Sequence, residues 1–153
     1  MTNKDLIRAL LFISKLSLGL TFAYAGWSKL HKPQDLAQII AGYQLVPILA
    51  IAPITIILPF VELWSALLVL VGPSHLRRAA ALILSLLLIA FILGAAQGLI
   101  RGLDFECGCF GSQNHRRPGF TFFLQDSALL LASIIVLALD KPKKKIARPG
   151  DLS

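Results

Sequence analysis

This chain is short of charge. Only 15% of its 153 residues are charged, against the roughly 25% usual in soluble domains. With 56% hydrophobic residues and a mean hydropathy of +0.75, that scarcity excludes an ordinary water-soluble domain. Cysteine is nearly missing too. Two residues, Cys107 and Cys109, leave no second pair to complete a four-thiolate zinc site. The small-residue exit of a cleaved signal peptide is also lacking. The first apolar run continues into Gly26, Trp27 and Lys29, so it reads as a retained helix.

What is present is four apolar blocks, about 6–27, 48–71, 79–100 and 120–139, each near the ~20 residues a helix needs to cross a bilayer. Prolines at 47, 73, 118 and 142 stand at block edges, where helices start or stop. Pro53 and Pro59 lie inside the second block, which predicts a kink or irregularity there. Between the first two blocks, PQDLAQIIAGYQLVP places Leu36, Ile39, Ile40 and Tyr43 at helical spacing, the pattern of a short amphipathic helix at the membrane interface. The expected fold is all-α: an integral membrane four-helix bundle over residues 1–140 with one interfacial helix, followed by a basic tail over 141–153.

Four spans put both termini on one side. That side receives Lys4, Arg8, Lys15, Arg77, Arg78, Lys141, Lys143, Lys144, Lys145 and Arg148, and the other receives Lys29, Lys32, Arg101, Arg116 and Arg117. The excess of positive charge predicts cytoplasmic termini in a bacterial inner membrane. It also predicts that the connection carrying both cysteines faces the periplasm, where disulfides persist. The net charge of +7 needs no nucleic acid as partner, because the KPKKK run after the last span suits a cytoplasmic anchor to the lipid bilayer.

Ionisable residues inside spans are functional candidates by default, and here they are Lys15, Glu62 and Asp126. Lys15 and Glu62 each stand nine residues from the inner end of their block, about 13 to 14 Å deep, which predicts that they pair. Asp126 sits roughly 9 Å below the opposite surface, nearer the cysteines. In block three, Ala90, Gly94, Gly98 and Gly102 form a small residue stripe that admits close helix packing.

The run DFECGCFG, residues 104–111, carries the chemistry. In C-G-C the α-carbons stand about 5.5 to 7 Å apart, and a disulfide wants roughly 4.4 to 6.8 Å, so a bridge needs the bend that Gly108 permits. A ring this tight restrains almost no chain entropy, which argues against a structural staple. A strained, reducible disulfide is one reading. Two thiolates joined by Glu106, Asp104, His31 or His115 in a metal site are another. Arg101, Arg116 and Arg117 favour a thiolate, while Asp104 and Glu106 oppose it.

The segments KLSLGLTFAYAGWSKLHKP, AGYQLVP, LPFVEL, RGLDFECGCFG and LQDSALLLA together resemble the MauE/DoxX group of small four-helix membrane proteins, its MauE-like methylamine-utilisation branch most of all. The resemblance covers roughly residues 15 to 135. It implies a membrane maturation factor, a thiol–disulfide oxidoreductase in which Cys107 and Cys109 exchange disulfides with a thioredoxin-like partner and a disulfide-containing periplasmic client. Lys15, Lys29 and Glu62 fall on family motif positions, and Asp126 matches an Arg-Asp pair whose arginine is Gln125 here. By analogy with other four-helix enzymes that keep cysteines near a quinone, Tyr43, Trp64 and Phe110 are candidate quinone-lining residues. The competing classes are a non-catalytic scaffold subunit for a partner oxidoreductase and a metal-handling membrane protein.

Overall fold

Apolar runs, several of them bounded by proline, translate into five helices among the described residues. The structure, a computed structural model, describes residues 3–101 and 120–140. Helix α1 spans Asn3–His31, α2 Pro33–Tyr43, α3 Ile48–Val71, α4 Ser74–Ile100 and α5 Phe120–Leu139. Pro33 opens α2, and Pro47 and Pro73 cap α3 and α4, positions where the missing N–H costs nothing. Helix α2 ends on Gln44, whose left-handed φ of 53° lets its N–H donate to Ala41 O.

Lys4–His31, Ile48–Val71 and Ser74–Ile100 are long and apolar enough to cross a membrane, and Phe123–Leu139 is a shorter apolar helix. The protein is an all-α, multi-pass membrane protein. The expected extents of the second and fourth blocks match α3 and α5, whereas α1 and α4 each run past the apolar blocks that announced them. Helical hydrogen bonding, once nucleated, carries through the polar residues flanking each run. Helix α3 runs from Ile48 to Val71 with Pro53 and Pro59 inside it, the half of the block where a kink or irregularity was expected. Near the first of these, Thr55 Oγ1 donates back to Ile51 O at 2.8 Å.

Helices α1, α3, α4 and α5 pack as a closed ring, each against two neighbours, with the α1–α3 contact the most extensive. Apolar side chains at helical spacing meet on the axis: Leu18 and Phe22 from α1, Val69 from α3, Leu84 and Leu88 from α4, Val136 from α5. Between α4 and α5, Ser85 Oγ and Ser133 Oγ share a hydrogen bond of 2.7 Å, an interhelical polar link away from water. Helix α2 packs chiefly on α3, burying Leu36, Ile39 and Ile40. Of the small-residue stripe in α4, Gly94 and Gly98 are buried as a packing face, but Ala90 is exposed and Ala95 is buried instead. A spacing of four drifts around a helix of 3.6 residues per turn, so a four-residue stripe does not stay on one side.

Two glycines set the α1–α3 register. A Cβ on Gly26 would stand 2.9 Å from Leu63 Cγ and 3.0 Å from Pro59 O, and one on Gly19 would collide with Leu70. Gly19 and Gly26 are seven residues apart on α1, as are Leu63 and Leu70 on α3. The two helices therefore interlock at two levels, and every other α1–α3 pairing follows from that register.

Candidate functional site

One side chain from each of the four ring helices converges inside the bundle. Lys29 comes from the last turn of α1, Glu62 from α3, Phe91 from α4 and Asp126 from α5. Lys29 follows Gly26 by one turn, so the close glycine contact carries its ammonium onto Glu62. Lys29 Nζ donates to Glu62 Oε1, with side chains 2% and 0% exposed. The same ammonium lies 4.8 Å from the centroid of the Phe91 ring, a cation–π contact that helps replace lost hydration. Glu62 Oε2 is buried and receives no hydrogen bond among the described residues.

These residues line a small crevice of about 10 Å³, room for about one water. Thr21 adds a hydroxyl, and Phe22, Ala25, Leu88 and Leu129 complete the apolar wall. Asp126 is 1% exposed. It is therefore an interior carboxyl.

A second charged cluster closes the other end of the ring. Lys15 Nζ and Arg77 Nη1 both reach Asp140 Oδ2, at 3.1 and 2.8 Å. Arg77 Nη2 also donates to Gly72 O at 2.6 Å. The cluster thus joins α1, the end of α3, the first turn of α4 and the residue after α5. Asp140→Asn removes the shared anion, and we expect it to lower stability in detergent by about 2 kcal/mol, the scale of hydrogen bonds to charged groups. Thermal unfolding of the variant checks this. An unchanged midpoint would show that the clamp holds nothing.

The expected Lys15–Glu62 pair is not formed: Lys15 pairs with Asp140, and Glu62 with Lys29. Depth counted from the start of an apolar run places Lys15 too deep, because α1 runs on past the bundle. Residues 4–10 are exposed, and burial on α1 begins at Ser14. Lys29, assigned to a surface by charge counting, is interior. Arg101 is exposed at the end of α4. Trp64 is 63% exposed and faces away from the crevice, whose aromatic lining is Phe22 and Phe91. Only the backbone of Tyr43 is described, as the last residue of α2. Cys107, Cys109, Phe110 and Gly102 lie outside the described residues.

Sequence reading missed Phe91, Arg77 as an internal tie, and Asp140. Phe91 gives no signal in an apolar run. Asp140 did offer one, as an acid placed directly after the last apolar residue of block four and before a run of lysines.

Residues 7–139 match the family described as "Methylamine utilisation protein MauE". Two relatives are each named "Methylamine utilization protein MauE". The one from Methylophilus methylotrophus is 32% identical over 133 residues, covering 82% of this chain and 66% of that protein. The one from Paracoccus denitrificans is 30% identical over 133 residues, covering 86% of this chain and 70% of that protein. This chain thus spans about two thirds of the length of these curated relatives. No solved structure matches. With a match running from the first span through the end of α5, the chain belongs to the MauE family.

Proposed function

We propose that this membrane protein is a thiol–disulfide exchange factor serving the maturation of a disulfide-containing protein, in methylamine utilisation if it shares the role its relatives are named for. The observation that carries the reading is the placement of the chain's two cysteines. Cys107 and Cys109 stand one glycine apart between the end of α4 and the start of α5. Those helix ends are opposite the Lys15–Arg77–Asp140 clamp. The charge asymmetry favours the clamp end in the cytoplasm of a bacterial inner membrane and the cysteines in the periplasm.

The chemistry is exchange through a mixed disulfide. A thiolate of a thioredoxin-like partner attacks one sulfur of the Cys107–Cys109 disulfide. The S–S bond breaks, and the other cysteine leaves as a thiolate and takes up a proton. The partner's second thiol, losing its proton, then attacks the mixed disulfide. The partner ends as a disulfide and the pair as a dithiol, so two electrons and two protons have moved. The reverse sequence runs when the pair is the donor. A quinone accepting two electrons and two protons to become a quinol would restore the disulfide.

The test is to alkylate free thiols of the purified protein before and after reduction, across glutathione buffers of stepped potential. We expect a Cys107–Cys109 disulfide in oxidising buffers. We also expect Cys107→Ser or Cys109→Ser to trap a covalent adduct with a thioredoxin-like protein. A pair that stays reduced in every oxidising buffer would remove the exchange reading. Full client maturation with both cysteines changed to serine would favour the scaffold reading in its place.

A further inference from the structure

Helix α1 does not end where the bundle ends. Lys15 is tied to Asp140, yet α1 continues for 12 more residues toward its N-terminus, to Asn3, about 18 Å at the α-helical rise. This overhang is two-faced. Lys4, Arg8 and Lys15 share one side of the helix, while Leu6, Leu10 and Ile13 share the opposite side, as the 3.6-residue period requires. Because Lys15 points at Asp140, the basic side is the one turned toward the ends of α4 and α5. The same end of the bundle carries an exposed His75 and a half-buried Arg78 in the first five residues of α4. The described cations at this end are Lys4, Arg8, Lys15, Arg77 and Arg78, against the carboxylates Asp5 and Asp140. Lys15 and Arg77 are both spent on Asp140. Arg8 and Arg78 make no ion pair among the described residues.

We propose that this end of the bundle binds anionic phospholipid, with Arg8 on α1 and Arg78 on α4 as its principal phosphate contacts. Charge complementarity asks for an anion. The exposed apolar side chains of the overhang decide what carries it. Leu6, Phe12 and Ile13 are 57%, 66% and 62% exposed, and apolar side chains one turn from a phosphate contact need hydrocarbon beside that phosphate. A phospholipid supplies both in one molecule. A nucleic acid or a soluble acidic protein supplies only the charge. Long arginine side chains reach outward to the headgroup while their stems stay in apolar surroundings.

The experiment uses the full chain in nanodiscs of phosphatidylcholine with or without phosphatidylglycerol, reading lipid retention by native mass spectrometry and the thermal midpoint. Phosphatidylglycerol should be retained preferentially and should raise the midpoint, and both effects should weaken in high salt. Arg8→Gln and Arg78→Gln should each lower the preference about fivefold, the scale of one basic residue at an anionic surface. Helix content by circular dichroism should be unchanged in both. Equal retention of the two lipids would overturn the proposal. So would a preference that survives the double variant but vanishes when Lys143, Lys144 and Lys145 are changed to Gln, since the tail would then be the binder. An equal rise in midpoint from inorganic phosphate without anionic lipid would assign the site to free anions and would also overturn it.

Discussion

Lys29→Met should destabilise the protein by about 3–5 kcal/mol, the scale for breaking a buried ion pair by removing one partner. The methionine fills nearly the same volume, so the loss would not come from packing. It would come from leaving Glu62, 0% exposed, without its ammonium partner in an interior that solvates a carboxylate poorly. Lys29→Met combined with Glu62→Met should recover a substantial part of that loss, because the pair as a whole costs desolvation that its attraction only partly offsets. Thermal unfolding in a mild detergent reads both variants. A double variant no more stable than Lys29→Met alone would mean that Asp126, not Glu62, is the group the ammonium neutralises. A single variant as stable as wild type would remove the cluster from any account of how the bundle is held.

The second large effect belongs to Gly26. Gly26→Leu places a side chain where even a Cβ would stand 3.0 Å from Pro59 O and 2.9 Å from Leu63 Cγ. The leucine can change rotamer, but the carbonyl is part of a helix and moves only if α3 moves. We expect a cost of about 3 kcal/mol or more, at or above the upper range for overpacking. Widening the α1–α3 gap also draws Lys29 away from Glu62 one turn further along. Gly26→Ala should be milder, and Leu63→Ala should relieve it in part because only the leucine contact is removed. The glycine register would be refuted by a Gly26→Leu variant with wild-type stability and an intact Lys29–Glu62 coupling in a double-mutant cycle.

Both predictions concern features that a single helix does not display. Gly19 and Gly26 are ordinary in an apolar sequence until Leu70 and Leu63 are set against them. Their common spacing of seven is a signal, but only to a reader who already pairs α1 with α3. Lys29 and Glu62 were each legible as candidates, one through a resemblance and the other as an ionisable residue within a span. Asp126 was legible on the same ground, and it does line the crevice with them. Their partners were not legible. Counting depth from the first apolar residue of each block treats Leu6 as a bundle residue, whereas α1 is exposed over residues 4–10 and its first buried residue among those described is Ser14. Lys15 therefore stands at the level of Asp140, not of Glu62.

By itself the sequence determined that this is a helical membrane protein, where its helices begin and end to within a few residues, and that Glu62 and Asp126 lie inside spans. Apolar runs bounded by proline settle those matters locally, since each helix satisfies its own backbone whatever its neighbours do. The tertiary structure alone decided which charge meets which: Lys29 with Glu62 under Phe91 at one end, Lys15 and Arg77 with Asp140 at the other. That choice rests on the relative slide of α1 and α3, and the slide is set by how closely two backbones approach at Gly19 and Gly26.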